Sequence, residues 1–328
     1  MKNSGEKSLK LSSLPLAPKL YAAAYIGMGA TLCVLLSYIW SNRLDYSFGY
    51  LVPMFALYII YDRSGKIANY FSTPPAGGGK SSKLAAVFCD LFFGAMMLFG
   101  LFGYVFFAWL FYLSQNRGTP AFVITFCFSF VSLAMAYFAS ETDVAGRRKN
   151  LRERLEFISW FVFPCFIWIV AVPTFGAVEE KISLILLSIV ADIVYHLMDF
   201  LGYIVTLRGN VIEFPSGSVG VADACSGIRS LTACLFAGSF LAAAMLDKLW
   251  KKIALVLLSM VFAFFNNILR ALFLSFWAYE NGSDSISGFV HDAAGYFVLI
   301  MTVLGLLVMV GIFQINPVPK EFREPRQQ

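Results

Sequence analysis

The run FPSGSVGVADACSGIRS, Phe214–Ser230, opens directly into LTACLFAGSFLAAAML, Leu231–Leu246. The first part is polar, rich in glycine, and carries one cysteine, Cys225. From Cys225 to Leu246 the chain then stays mostly apolar for about the 20 residues a helix needs to cross a bilayer. DKLWKK ends the run. The same change from polar mouth to apolar run recurs along the whole chain. Of its 328 residues 59% are hydrophobic and only 14% charged, against about 25% charged in soluble domains. Lipid admits only helices or closed barrels, and these runs lack the alternation of a barrel strand. The sequence therefore predicts a single all-α, polytopic integral membrane domain over residues 1–328.

About eight spans are expected. Met1–Lys19 is polar and basic. Leu20–Trp40 is too long for a signal-peptide core and lacks a convincing cleavage site, so it reads as a retained first span. The others lie at Phe48–Tyr61, within Leu84–Leu113, and at Pro120–Ser140, Phe157–Ala177, Cys225–Leu246, Ile253–Tyr279 and Val290–Phe313. Residues 178–224 form the one long segment between spans. Its front half, Ile182–Ile204, is apolar but broken by Asp192, His196 and Asp199. Its back half has turn and strand character, with Gly209, Pro215, Gly217 and Gly220. With the N-terminus inside, nineteen Lys and Arg fall on cytoplasmic segments and four on outer ones. The positive-inside rule then sets both termini in the cytoplasm and residues 178–224 outside or at the interface. Cys225, the upper half of the seventh span and His291 share that outer face.

Those three places carry the chemistry. Cys225 begins a helix or sits just before one, where the helix N-terminus lowers a thiol pKa, and Arg229 one turn on adds positive charge. Ser226 and Gly227 follow it, and a glycine there lets a substrate or another backbone approach closely. Arg270 lies about 13 Å below the end of its span, where a charge is costly unless paired or wetted. It either snorkels to the headgroups or serves as a planar, always-charged donor to an oxyanion. Asn266, four residues earlier on the same helical face, is placed to orient it. His291, at the first turn of the last span, can act as base towards a thiol and acid towards a leaving amine. Its neighbour Asp292 is expected to point elsewhere and to favour the helix start by charge alone. Asp192, His196 and Asp199 fall on one helical face as a rival site, or as the wet stripe of an interfacial helix.

The six cysteines show no CxxC and no metal-type spacing. Cys33, Cys89, Cys127 and Cys165 read as small buried hydrophobes. Cys234, about 13 Å past Cys225 along a helix, is too far for a disulfide with it. No cofactor and no metal is expected, and the net charge of +5 does not point to nucleic acid.

ADACSGIRS (Ala222–Ser230), NNILRA (Asn266–Ala271) and VHDAAGY (Val290–Tyr296) together resemble, in order and spacing, the exosortase/archaeosortase group of membrane cysteine transpeptidases. DYSFGYLVP (Asp45–Pro53) is similar to that family's YSHG-containing stretch, with Phe48 where many relatives have histidine. AVPTF (Ala171–Phe175) is similar to its proline turn. The resemblance implies catalytic roles for Cys225, Arg270 and His291. It also implies a multi-pass protein of the cytoplasmic membrane that cleaves exported proteins just outside the bilayer. The implied substrates end in a short motif, a hydrophobic helix and a basic tail, and their new carboxyl end passes to an acceptor whose identity stays open. From the residues alone the alternative is a non-catalytic transporter or export component, in which Arg229 and Arg270 line a polar pathway.

Overall fold

A computed structural model of the chain describes residues 14–75, 83–173, 176–215, 217–220, 228–286 and 288–314. Seven helical stretches among them are long and apolar enough to cross a membrane. The architecture is all-α and polytopic, and the chain forms two compact units, Met1–Gly176 and Ala177–Gln328.

The first unit runs through α1 (Leu16–Asn42), a 3-10 stretch (Leu44–Leu51), α2 (Val52–Asp62), α3 (Ser64–Ser72), α4 (Lys83–Leu113), α5 (Gly118–Ala139) and α6 (Leu151–Phe166). A second 3-10 stretch, Ile167–Ala171, continues α6. The central helix is α5, with Ala121, Ile124, Phe128 and Val131 fully buried. By contrast only 6% of the most apolar window of α4 is buried, so its large side chains are left for lipid. The two helices approach closely because α4 has no side chain at Gly100 and Gly103. A Cβ there would press on Val131 at 2.6 Å and on Cys127 at 2.7 Å.

Several polar groups of this bundle are matched to one another, as a medium with little water favours. Pro164 interrupts α6, and its carbonyl accepts the Tyr25 hydroxyl at 2.8 Å, while Trp168 Nε1 reaches Tyr25 Oη at 3.2 Å. Asp90 of α4 accepts from the Tyr137 hydroxyl at 2.6 Å and pairs with Arg154 at 3.1 Å. Asn150 and Glu153 form a reciprocal capping box that starts α6. The most basic loop is largely neutralised by its own acids: Arg147 pairs with Asp143 at 2.8 Å and Arg148 with Glu141 at 2.7 Å.

The span expected at Phe48–Tyr61 is not one long helix. The 3-10 stretch has 8 residues and α2 has 11. At roughly 2.0 and 1.5 Å of rise per residue they extend about 32 Å together, close to the hydrocarbon thickness. Pro53 lies in the first turn of α2, where its missing N–H is no loss. The 3-10 part touches α1, with the Tyr50 hydroxyl 2.6 Å from Ser41 Oγ. Past the C-terminal end of α2, the Arg63 guanidinium donates to the Trp160 carbonyl.

The second unit contains α7 (Gly176–Phe200), β1 (Thr206–Arg208), β2 (Val211–Phe214), β3 (Gly217–Gly220), α8 (Ile228–Met245), α9 (Leu249–Asn281), a 3-10 turn (Ser283–Ile286) and α10 (Phe289–Gln314). The strands form an antiparallel sheet in the order β1-β2-β3. The interruption expected in Ile182–Ile204 does not occur. Leu187, Val190, Ala191, Val194 and Met198 recur at helical spacing and are buried, while Asp192 and His196 take the exposed side. A helix tolerates those polar residues because they share a face, and α7 is itself long enough to cross a membrane. Its buried face packs with Ile212, Phe214 and Val219 of the sheet and with Ile268, Ala271, Leu274 and Ala278 of α9. Gly282, at φ 87°, ends α9 in a conformation that favours glycine.

Candidate active site

Arg270 stands 11 residues before the last residue of α9, about 16 Å below the helix end. His291 is in the first turn of α10. The two meet, with Arg270 Nη2 2.9 Å from His291 Nε2. A guanidinium can only donate, so Nε2 accepts. The ring proton then sits on Nδ1, which faces Asp292 Oδ1 at 3.3 Å. This corrects the expectation that Asp292 points away from His291. Adjacent residues leave a helix in different directions, but at the first turn both side chains are free to swing together. The outcome is a carboxylate that fixes the tautomer of the imidazole, as in other acid–base sites.

The register of α9 against α10 brings this pair together. One turn below Arg270, Asn266 Nδ2 donates to Thr302 Oγ1 at 2.9 Å, with both residues buried. No hydrogen bond joins Asn266 to Arg270 among the described residues, so its influence on the arginine runs through helix register. A further turn down, Phe262 lies over Gly305, where a Cβ would collide with the ring. Arg270, Asn266 and Phe262 thus descend α9 at intervals of four, each meeting α10. Neither Thr302 nor Gly305 stood out in the sequence. A hydroxyl and a glycine at helical spacing after His291 were the available signal.

Beside the pair lies a cavity of about 590 Å³ between α9 and α10. Leu269, Phe273, Trp277, Phe289, Phe297 and Met301 supply most of its wall, and Arg270 and Asn266 are its polar members. Arg270 Nε is buried with no acceptor among the described residues, at a cost of about 1–3 kcal/mol. The guanidinium is held in place by what it does at Nη2, not by full satisfaction of its donors.

Cys225, Ser226 and Gly227 lie outside the described residues, as does the side chain of Arg229. Both flanks of that segment are described. Upstream, Ser218 N donates to Ser283 Oγ at 3.0 Å, and the Phe214 ring stands 5.5 Å from that of Tyr279. Downstream, α8 begins at Ile228. It packs closely on α9, with Gly238 against Ser259 and the Ser259 hydroxyl 3.3 Å from the Cys234 carbonyl.

The rival residues form a surface pair. His196 Nε2 is 3.6 Å from Asp192 Oδ1, with side chains 67% and 62% exposed. Cys165 and Cys234 are buried, and Cys33, Cys89 and Cys127 are half-buried free thiols. Phe48 belongs to the first unit, its ring 6.3 Å from that of Tyr46. Among the described residues no group of three or more His, Cys, Asp or Glu is arranged to hold a metal.

A family model described as transmembrane exosortase matches residues 40–309. No curated protein and no solved structure matches the chain.

Proposed function

The chain belongs to the transmembrane exosortase family, and from that premise we propose that it is a membrane-embedded cysteine transpeptidase acting on exported proteins. The observation that carries this reading is the Arg270–His291 pair at 2.9 Å, which joins two of three reactive groups at the edge of an apolar cavity. The third group is Cys225. The strand before it and the helix after it both pack on α9, the helix of Arg270.

In the resting arrangement Arg270 occupies the lone pair of His291 Nε2. A substrate carbonyl entering the site draws the guanidinium towards its oxygen and frees Nε2. The Cys225 thiol then gives its proton to Nε2, and the sulfur attacks the carbonyl carbon. Arg270 stabilises the resulting oxyanion, a contribution worth roughly 10²–10³ in rate when one such donor is removed. Collapse breaks the C–N bond, and His291 returns its proton to the departing nitrogen. The acyl group remains as a thioester on Cys225 until an acceptor nucleophile, or water, takes it. Throughout, Asp292 keeps the imidazole turned so that Nε2 faces the reaction.

The substrates are exported proteins ending in a short motif, an apolar helix and a basic tail, cut at the outer face of the cytoplasmic membrane. The cavity beside Arg270 gives the apolar helix a place to enter from lipid. Along α9 its lining runs from Asn266 to Trp277, about 16 Å of rise, or three turns of a substrate helix.

The test is processing, in membranes, of an exported reporter carrying such a tail from the producing cell's own proteins. Cys225→Ala should abolish cleavage, and hydroxylamine should release product from the native enzyme by cutting the thioester. Normal cleavage by Cys225→Ala would end the transpeptidase reading.

A further inference from the structure

We propose that Gly295 is a positioning residue for Arg270: a notch in α10 that lets the guanidinium lie against the helix and reach His291. The inference rests on the reading above, in which that pair does the chemistry.

Gly295 follows His291 by four residues, so the two share one face of α10. A Cβ built on Gly295 would stand 3.7 Å from Arg270 Nη2 and 3.9 Å from Cζ. Those are ordinary contact distances, so the guanidinium occupies the space just beyond a Cβ at this position. A longer side chain has its next carbon one bond further out, in the space the guanidinium fills. Nothing in the backbone asks for glycine here. Gly295 is not among the glycines with positive φ, and a glycine in a helix interior costs roughly 1 kcal/mol relative to alanine. What the position uses is the absence of any atom beyond a Cβ.

The contact also accounts for how a residue so deep on α9 serves a group at the start of α10. Arg270 must extend along α10 towards its N-terminus, and the path from its own Cα to His291 passes over Gly295. Asn266 with Thr302 and Phe262 with Gly305 fix the register that brings the notch opposite the arginine. Fill the notch and the guanidinium turns aside into the apolar cavity. It keeps its charge and loses its partner.

The experiment compares Gly295→Ala, Gly295→Leu and Gly295→Val in reporter processing, with kcat and KM separated and enzyme in the membrane quantified. Leucine is apolar and a better helix former than glycine, so insertion should not suffer. Valine gives a second reading if the leucine variant fails to accumulate. Gly295→Ala should stay within about threefold of native, because its Cβ meets only ordinary contact. Gly295→Leu should lower kcat by about 10- to 100-fold with KM little changed, bounded by the loss of one oxyanion donor. Added to Arg270→Ala, the leucine should cause no further loss, since a notch without an arginine has no task.

Native kcat in Gly295→Leu and Gly295→Val overturns the proposal. So does an equal loss in the alanine variant, which would mean that helix flexibility matters instead, or a loss confined to KM, which would place Gly295 in substrate binding. If Arg270→Ala itself processes normally, the reading of the site falls and the notch with it. If Arg270→Ala is slow while Gly295→Leu is not, only the notch is wrong.

Discussion

Arg270→Lys keeps a positive charge near the same point of α9 and removes the planar fork. In the native arrangement Nη2 holds His291 at 2.9 Å, and the remaining N–H groups are free to turn towards an incoming carbonyl. An ammonium on a shorter stem cannot serve both partners with that geometry. A charge-assisted hydrogen bond is worth about 1.5–3 kcal/mol, which at 1.36 kcal/mol per tenfold is roughly a 10- to 160-fold loss of rate. Arg270 also sits where its Nε is cut off from solvent. A point-charge ammonium there cannot replace the fork's several fixed donors, which moves the expectation to the upper end of that range. The loss should fall on kcat, because the interaction matures only as the oxyanion forms. Single-turnover processing at saturating substrate measures it directly, and a substrate titration gives KM. A lysine variant with native kcat would reduce Arg270 to a counter-charge, and one altered only in KM would reduce it to a substrate anchor.

The remaining expectations concern the surroundings of the pair and its side of the membrane. Asp292→Asn should slow processing by on the order of tenfold, modestly because the carboxylate is 69% exposed and screened by water. An unchanged rate would show that the imidazole needs no orienting partner. His196→Ala should keep most processing activity, since that histidine pairs with Asp192 on the exposed side of α7. A loss as deep as that of Cys225→Ala would mark His196 as the base. Reporter fusions after Arg154 and after Lys252 should report cytoplasm, and one after Glu213 the outer side. That result requires α7 to lie along the membrane and not through it. Crossing by α7 would change the split of Lys and Arg from nineteen against four to fourteen against nine. A cytoplasmic signal at Glu213 refutes the common outer face.

The long apolar runs announced themselves in the sequence because a window of lipid length is a crude but sufficient requirement. The span expected at Phe48–Tyr61 is not among the seven long apolar helices, because its residues divide between a 3-10 stretch and a short α-helix. In α7, Asp192, His196 and Asp199 break the apolar run in sequence but not the helix, because residues spaced by three and four occupy one stripe. At the site, Arg270 and His291 stood out because a charge and an imidazole are rare in such company. Asp292 meets His291 because neighbouring side chains diverge reliably only in a helix interior, and these two stand in the first turn. Gly295 and Thr302 carry no chemistry of their own, and only the packing of α9 on α10 gives them a part.

Asp90 leaves the ribosome 64 residues ahead of Arg154 and 47 ahead of Tyr137. At 5–20 residues per second, the carboxylate waits about 3 to 13 s for its cation. During that interval α4 is a greasy segment with an unmatched anion seven residues from its start, near enough to one edge of the bilayer to stay hydrated there. Its resting depth while translation continues should therefore be shallower than in the finished protein, with the arrival of α6 drawing it in. On this reasoning electrostatics orders the assembly of the first unit. A nascent chain halted before residue 154 should hold α4 at a different height from one halted after it, a difference that a series of arrested lengths with a thiol label on Cys89 would read as a step.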